Sequence, residues 1–150
     1  MTTTINFYGV RGPYGQLSNF AAFSIEVDGL SWPTAEHYFQ AQKFAGTPHA
    51  ETIRNAKGGR AAAQAGRSRK HPMRVDWPSA RDDVMRRALR AKFTQHPELF
   101  DLLVGTAPAL LVEHTANDSY WGGGGDGSGR NRLGELLMEP RSELVAEASR

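Results

Sequence analysis

One stretch, Thr34-Ala-Glu-His-Tyr-Phe-Gln-Ala-Gln-Lys-Phe44, holds a carboxylate, a carboxamide and an amine at helical spacing. At about 100° per residue, Glu36, Gln40 and Lys43 cluster within about 60° on one side. Tyr38, Ala41 and Ala45 fall on the other, which is the face expected to be buried. Glu36 and Lys43 stand two turns apart, roughly 10 Å along the axis, so their side chains can bracket a ribose-sized group. Phe39 and Phe44 flank Lys43, and desolvation by these rings would lower its pKa toward the neutral amine that a nucleophile needs. Spacing alone favours a plainer reading, a solvated helix face of ordinary polar residues.

The second segment with chemistry runs from Asn117 to Met138 and opens Asn117-Asp-Ser-Tyr-Trp-Gly-Gly-Gly-Gly-Asp126. Six of the chain's 16 glycines fall within Gly122–Gly129. Glycine-rich backbone entering a helix, with Arg130 and Arg132 at the junction, offers N–H groups to a phosphate. Tyr120 and Trp121 supply faces for a base or sugar. Asp118 and Asp126 add carboxylates. Gly122-x-Gly124-x-x-Gly127 meets the dinucleotide fingerprint only trivially, because no βαβ unit surrounds it, and the Gly-Lys-Ser/Thr of a P-loop is missing. A flexible loop without a ligand is the alternative. Two aromatics and two arginines beside so much glycine tilt the balance toward a binding loop.

Elsewhere the sequence mainly excludes. There is no Cys among 150 residues, which removes disulfides, thiolate catalysis and cysteine-ligated zinc. The five His show no metal-ligand spacing, and Ser128 does not lie in a nucleophile elbow. No apolar run approaches the ~18 residues of a membrane span. The start, Met1-Thr-Thr-Thr-Ile-Asn6, lacks the basic and apolar blocks of a secretory signal, so a cytoplasmic location is expected. The formal net charge of +2 conceals a segregation. Residues 54–92 carry twelve basic and three acidic side chains, a net +9, between flanks of −2 and −5. That pattern suits an anionic partner, either nucleic acid or a phosphorylated small molecule. Trp77 is the sole aromatic in this segment, which weakens the nucleic-acid reading, and a solvated helix surface accounts for many of these arginines. Trp77 itself reads equally as a core anchor or a stacking face.

The elements that must position these groups follow from periodicity and punctuation. Thr4–Tyr8 is β-prone. Phe23–Val27 alternates apolar and polar residues up to Asp28-Gly29 and resumes at Leu30–Trp32, the signature of a hairpin. Thr34 is placed to cap a helix from Ala35 to about Ala45. Pro48–Ala56 and Gly59–Ala65 read as short helices, and Arg67–Arg74 as a basic loop. Ser79 is placed to cap a long helix through about Gln95, with Val84, Met85, Ala88 and Leu89 in its apolar stripe. A helix Glu98–Val104 follows Pro97, then a strand Leu110–His114, then a helix from about Asn131 with Pro140 as a point of interruption. The expected architecture is one α+β domain over residues 1–150, mostly helical, with a small antiparallel sheet.

Several of these segments together resemble a known family. Tyr14-Gly-Gln-Leu-Ser-Asn-Phe20, Trp32-Pro-Thr-Ala-Glu-His-Tyr-Phe-Gln-Ala-Gln-Lys-Phe44, Met85-Arg-Arg-Ala-Leu-Arg-Ala-Lys-Phe93, Leu111-Val-Glu-His-Thr115, Asn117-Asp-Ser-Tyr-Trp-Gly122 and Gly129-Arg-Asn-Arg-Leu-Gly134 resemble the NADAR, or YbiA-like, family from about Asn6 to Met138. The resemblance implies a single α+β domain that cleaves N-glycosidic bonds. Its bacterial type acts on ribosylaminopyrimidine 5′-phosphates of riboflavin biosynthesis, and a related branch removes ADP-ribose from guanine in nucleic acid. By motif, Glu36 matches the catalytic carboxylate and Lys43 the covalent lysine, with Asp118 and Trp77 at further active-site positions, Asp118 as a catalytic residue and Trp77 as a substrate-binding one. Asn19, Phe20, Gln40, Tyr120, Trp121, Gly122 and Arg130 are the expected substrate-binding residues. Ser128 stands where a lysine is common. The implied partner is a phosphorylated small molecule, with ADP-ribosylated nucleic acid as the enzymatic alternative and a non-catalytic nucleotide or nucleic-acid binder as the other. No cofactor, metal or membrane is expected, and the sequence does not indicate an oligomeric state.

Overall fold

The computed structural model describes residues 3–115 and 117–148. Met1 and Thr2, part of the stretch read for a secretory signal, lie outside them. In chain order the elements are β1 (Thr4–Phe7), a 3₁₀ turn (Gly15–Leu17), β2 (Ile25–Val27), β3 (Leu30–Trp32), α1 (Ala35–Gln42), α2 (Pro48–Arg54) and α3 (Gly59–Gly66). Then come α4 (Trp77–Gln95), α5 (Pro97–Gly105), β4 (Leu110–Glu113) and α6 (Arg132–Ala148). The α+β class and the helical majority expected from the sequence are both present. Among the described residues no helix is long and apolar enough to cross a membrane.

The chain divides into two compact units, Asn19–Gln95 and the remainder. Within Asn19–Gln95, β2 and β3 pair antiparallel, with buried Ile25 opposite buried Trp32. Asp28 and Gly29 both take positive φ, 54° and 79°, as a tight two-residue hairpin of matching twist requires. The carboxamide of Gln95, at the end of α4, accepts from Glu26 N–H and donates to Glu26 C=O, both at 2.8 Å, imitating a neighbouring strand. Helix α1 lies against α2, α3 and α4, so every residue from Thr34 to Ala41 is buried. Thr34 caps it as expected: its hydroxyl accepts the His37 N–H at 3.1 Å. The His37 ring is clamped between the Thr34 hydroxyl at 2.7 Å and the Ala56 carbonyl at 2.9 Å. That carbonyl can only accept, so Nε2 carries the hydrogen.

Two boundaries differ from expectation here. Helix α1 ends at Gln42 rather than near Ala45, because the chain tightens into i→i−3 bonds, Lys43 N–H to Gln40 C=O and Phe44 N–H to Ala41 C=O. Helix α4 starts at Trp77, ahead of the Ser79 cap. The Asp76 carbonyl accepts from Ser79 N–H, Ala80 N–H and the Ser79 hydroxyl. Ser79 is therefore inside the helix, and Pro78 sits in a first turn that does not need its missing N–H.

The other unit carries a pairing that adjacent segments do not announce. β1 and β4 lie parallel, in register from Thr4–Leu110 to Phe7–Glu113, a hundred residues apart in sequence. Helix α6 packs on β4 and α5. It approaches β4 so closely that a Cβ at Gly134 would stand 2.0 Å from the Leu111 carbonyl. Asn131 fixes that approach: its carboxamide donates to Leu111 C=O at 2.8 Å and accepts from Glu113 N–H at 3.0 Å. The interruption expected at Pro140 does not occur, and α6 runs through it. Proline costs about 3 kcal/mol inside a helix. The turns beyond it are held by buried Leu144 and by Arg141, whose guanidinium donates to Ala109 C=O at 2.6 Å and to the Thr106 hydroxyl at 3.2 Å.

Candidate active site

The residues of α1 that suggested chemistry do not form a solvated face. Glu36 and Gln40 are each only 7% exposed, which corrects the plainer reading of their spacing. The helix is enclosed by three other helices, a circumstance its own periodicity cannot encode. Glu36 sits in the first turn, where helix N–H groups favour a carboxylate. Its own N–H donates to the Asn19 carbonyl at 3.1 Å. Its Oε1 accepts from Gln40 Nε2 at 2.6 Å, which fixes which end of the carboxamide faces the acid. The opposite end, Gln40 Oε1, is buried with no donor among the described residues, and so is Asn19 Oδ1. Asn19 Nδ2 lies 3.3 Å from the Met85 sulfur.

Gln40 and Lys43 meet the end of α3 at one residue. A Cβ at Gly66 would fall 2.0 Å from Gln40 Oε1, so only glycine admits this carboxamide. The Gly66 carbonyl accepts from Lys43 Nζ at 3.3 Å. Burial pushes the Lys43 ammonium below its ordinary value, the Glu36 carboxylate opposes this, and the Arg67 charge adds to the lowering. The adjacent Ala65 carbonyl accepts from His49 Nε2 at 2.9 Å. The His49 ring stacks on His71 at 3.8 Å with Phe44 edge-on to both. The helix expected from the sequence ends at Ala65, and Gly66 has no role in that reading.

Trp77 is buried against Phe39, with ring centroids 5.1 Å apart. Phe20, 39% exposed, lies over Gly59, where a Cβ would stand 3.0 Å from the Phe20 Cα. Asn19, Phe20, Glu36, Gln40, Lys43 and Trp77 thus all belong to the unit Asn19–Gln95.

Asp118, Tyr120, Trp121, Gly122 and Arg130 gather in the other unit. Asp118 Oδ1 accepts from the N–H groups of Tyr120 at 2.9 Å and Trp121 at 2.8 Å, which sets the turn carrying both rings. Those rings meet edge to face at 4.8 Å, and the Arg130 guanidinium lies 5.1 Å over Tyr120. Several of the glycine-loop N–H groups expected to face a phosphate are bonded within the protein instead. Gly123 N–H donates to Glu113 C=O, Gly127 and Gly129 N–H to Gly123 C=O, Arg130 N–H to Ser119 C=O and Asn131 N–H to Gly122 C=O. The first donors of α6 are taken as well, Arg132 by Tyr120 and Leu133 by Trp121. The glycines serve close backbone packing instead: a Cβ at Gly122 would fall 2.5 Å from Thr115 Cγ2, and one at Gly129 2.5 Å from the Gly122 carbonyl. Among the described residues no group of three or more His, Asp or Glu side chains is placed to hold a metal ion.

Comparison with known proteins agrees with these motifs. Residues 6–145 match the NADAR domain family. The chain is 58% identical over 145 residues to the N-glycosidase YbiA of Escherichia coli K12, covering 97% of this chain and 91% of that protein. It is 41% identical over 159 residues to the chloroplastic riboflavin biosynthesis protein PYRR of Zea mays, covering 96% of this chain and 26% of that much longer protein. The NMR structure of E. coli YbiA superimposes with a TM-score of 0.90 at 57% identity, over 99% of this chain and 89% of that one. With its motifs, its fold and nearly its whole length in common with these proteins, the chain belongs to the NADAR domain family.

Proposed function

We propose that this protein hydrolyses the C–N glycosidic bond of ribosylaminopyrimidine 5′-phosphates, releasing ribose 5-phosphate and the aminopyrimidine. The broader class, an enzyme that hydrolyses N-glycosyl compounds, rests on its 58% identity to a protein named for that activity. The narrower substrate is supported by the relative named for riboflavin biosynthesis and by the chemistry of the buried helix. The observation that carries the reading is the connected path Glu36–Gln40–Gly66–Lys43, which joins an oriented carboxylate to a lysine of lowered pKa.

A ribosylamine opens to an imine at C1. Neutral Lys43 adds to that carbon, its nitrogen passes a proton through Glu36 to the pyrimidine amine, and the C1–N bond to the pyrimidine breaks. A lysine imine of ribose 5-phosphate is left. Water adds to the imine and restores the free amine and the sugar aldehyde. The Glu36 carboxylate also stabilises the positive charge that develops at C1. Asn19 Oδ1 and Gln40 Oε1, buried acceptors without donors among the described residues, are suited to sugar hydroxyls or the pyrimidine amino group. Asp118 holds the turn that carries Tyr120 and Trp121, whose rings, beside Gly122 and Arg130, have faces suited to stacking. The test is release of ribose 5-phosphate from the two ribosylaminopyrimidine 5′-phosphates, with ADP-ribosylated DNA run beside them. Release from the pyrimidines, reduced to a small residue in Glu36→Gln, is expected. Release of ADP-ribose from DNA alone would overturn the assignment.

A further inference from the structure

We propose that Arg67 is the anchor for the substrate's phosphate group. The inference rests on the phosphorylated substrate proposed above and assigns a binding role to a residue that neither spacing nor motif singled out. A phosphate monoester needs donors that are fixed in place and not already in use. In the glycine loop, the N–H groups of Gly123, Gly127, Gly129, Arg130 and Asn131 are bonded within the protein, so these donors are already in use. A guanidinium is the other natural partner, since its planar fork matches two phosphate oxygens at once.

Four arginines of the unit that contains α1 are committed to carboxylates. Arg54 pairs with Glu51, Arg74 with Asp76, Arg86 with Asp83 and Arg87 with Asp28. Arg67 is exposed and has no acidic partner among the described residues. It directly follows Gly66, whose carbonyl accepts from Lys43 Nζ at 3.3 Å. Its position is fixed as the cap residue of α3, with its N–H donating to Gln64 C=O at 3.2 Å. Its charge is felt at Lys43. A pentose held through C1 at Lys43 carries its phosphate four carbons further along the chain. A guanidinium rooted one residue beyond the lysine's own acceptor, in solvent, is placed to receive it. The last turn of α3 tolerates this cation because helix C-termini favour positive charge.

The test compares the 5′-phosphorylated ribosylaminopyrimidine with its dephosphorylated form, and ribose 5-phosphate with ribose as ligands measured by calorimetry. Arg67→Ala is expected to weaken ribose 5-phosphate binding and raise KM for the phosphorylated substrate, each by about 10–100-fold, the worth of a charge-assisted contact. Turnover of the dephosphorylated form should fall far less, only through the lost charge near the Lys43 amine, and the thermal midpoint should stay at the wild-type value. Arg67→Lys should recover part of the loss, and Arg69→Ala, on the same exposed loop, should change nothing. Equal loss on both substrates, or unchanged ribose 5-phosphate binding, would overturn the assignment. A wild-type protein that binds ribose 5-phosphate through Arg67 but releases none from the pyrimidines would overturn the proposed function and leave Arg67 standing.

Discussion

Gln40 Nε2 donates to Glu36 Oε1 at 2.6 Å, one turn along the same buried helix. This contact sets the carboxylate's direction, and it exists because Gly66 leaves room for the rest of the carboxamide. In an open helix, glycine to alanine gains about 1 kcal/mol from propensity. Here a contact of 2.0 Å with a buried group opposes that gain. Gly66→Ala should therefore destabilise the fold by roughly 1–3 kcal/mol and lower kcat by about 10–100-fold. The double variant Gly66→Ala/Gln40→Ala should return to the stability of Gln40→Ala, because the clash has lost its partner. Urea denaturation of the four proteins measures this; additive losses would exclude the contact as the cause.

In the proposed mechanism Lys43 acts as its neutral amine, and burial lowers its pKa, so activity should rise with pH through an inflection below the ordinary lysine value of about 10.4. The Glu36 carboxylate raises that pKa, so the residual activity of Glu36→Gln should show its inflection at lower pH than the wild type. Borohydride added during turnover should leave a pentose phosphate on Lys43 by mass spectrometry. An unlabelled Lys43 alongside an active Lys43→Ala protein would exclude the covalent step.

Asp118 Oδ1 accepts two backbone N–H groups, and an asparagine at this position keeps that oxygen. Asp118→Ala should cost about 1–2 kcal/mol and weaken substrate binding through the displaced Tyr120 and Trp121. Asp118→Asn should restore both stability and KM, as a positioning residue requires. Loss of turnover in a stable Asp118→Asn protein would instead assign the negative charge to catalysis.

Lys92 is fully buried, with Nζ 5.2 Å from the Phe93 ring and 5.9 Å from that of Phe23. Burial pushes its pKa down to about 7. The unfolded chain keeps the ordinary value of about 10.4 and so holds a proton between these limits that the folded chain has released. Stability therefore rises with pH from about 7 toward 10, and the penalty of the buried charge is complete below 7. Lys92→Met should flatten that slope, narrowing its stability difference from the wild type as pH rises. Parallel pH profiles of the two proteins would contradict the burial effect.

Much of the fold is legible because its signals are local. Asp28-Gly29 specifies a turn by backbone conformation, Thr34 a helix start by one hydroxyl, and the apolar stripe Val84–Leu89 a packed helix. The errors are also local rules overruled by distant contacts. Pro140 does not break α6 because Arg141 and Leu144 are held by residues more than thirty positions away or buried beside them. Ser79 does not cap α4 because the Asp76 carbonyl begins the helix earlier.

The identities of Glu36, Lys43, Asp118 and the glycine loop, their spacing and their resemblance to a family stand in the sequence by itself. So does the chemistry available to a carboxylate and an amine two turns apart. Tertiary structure decides how those groups behave. Three helices around α1 bury Glu36 and Gln40, and the end of α3 supplies Lys43 with an acceptor and Gln40 with its space. Gly123, Gly127 and Gly129 spend their N–H groups on backbone carbonyls. Burial and hydrogen-bond partners depend on which segments meet, and α1 meets Gly66 more than twenty residues along the chain. Helical periodicity specifies which side chains share a face, but that face becomes dry only when other elements cover it.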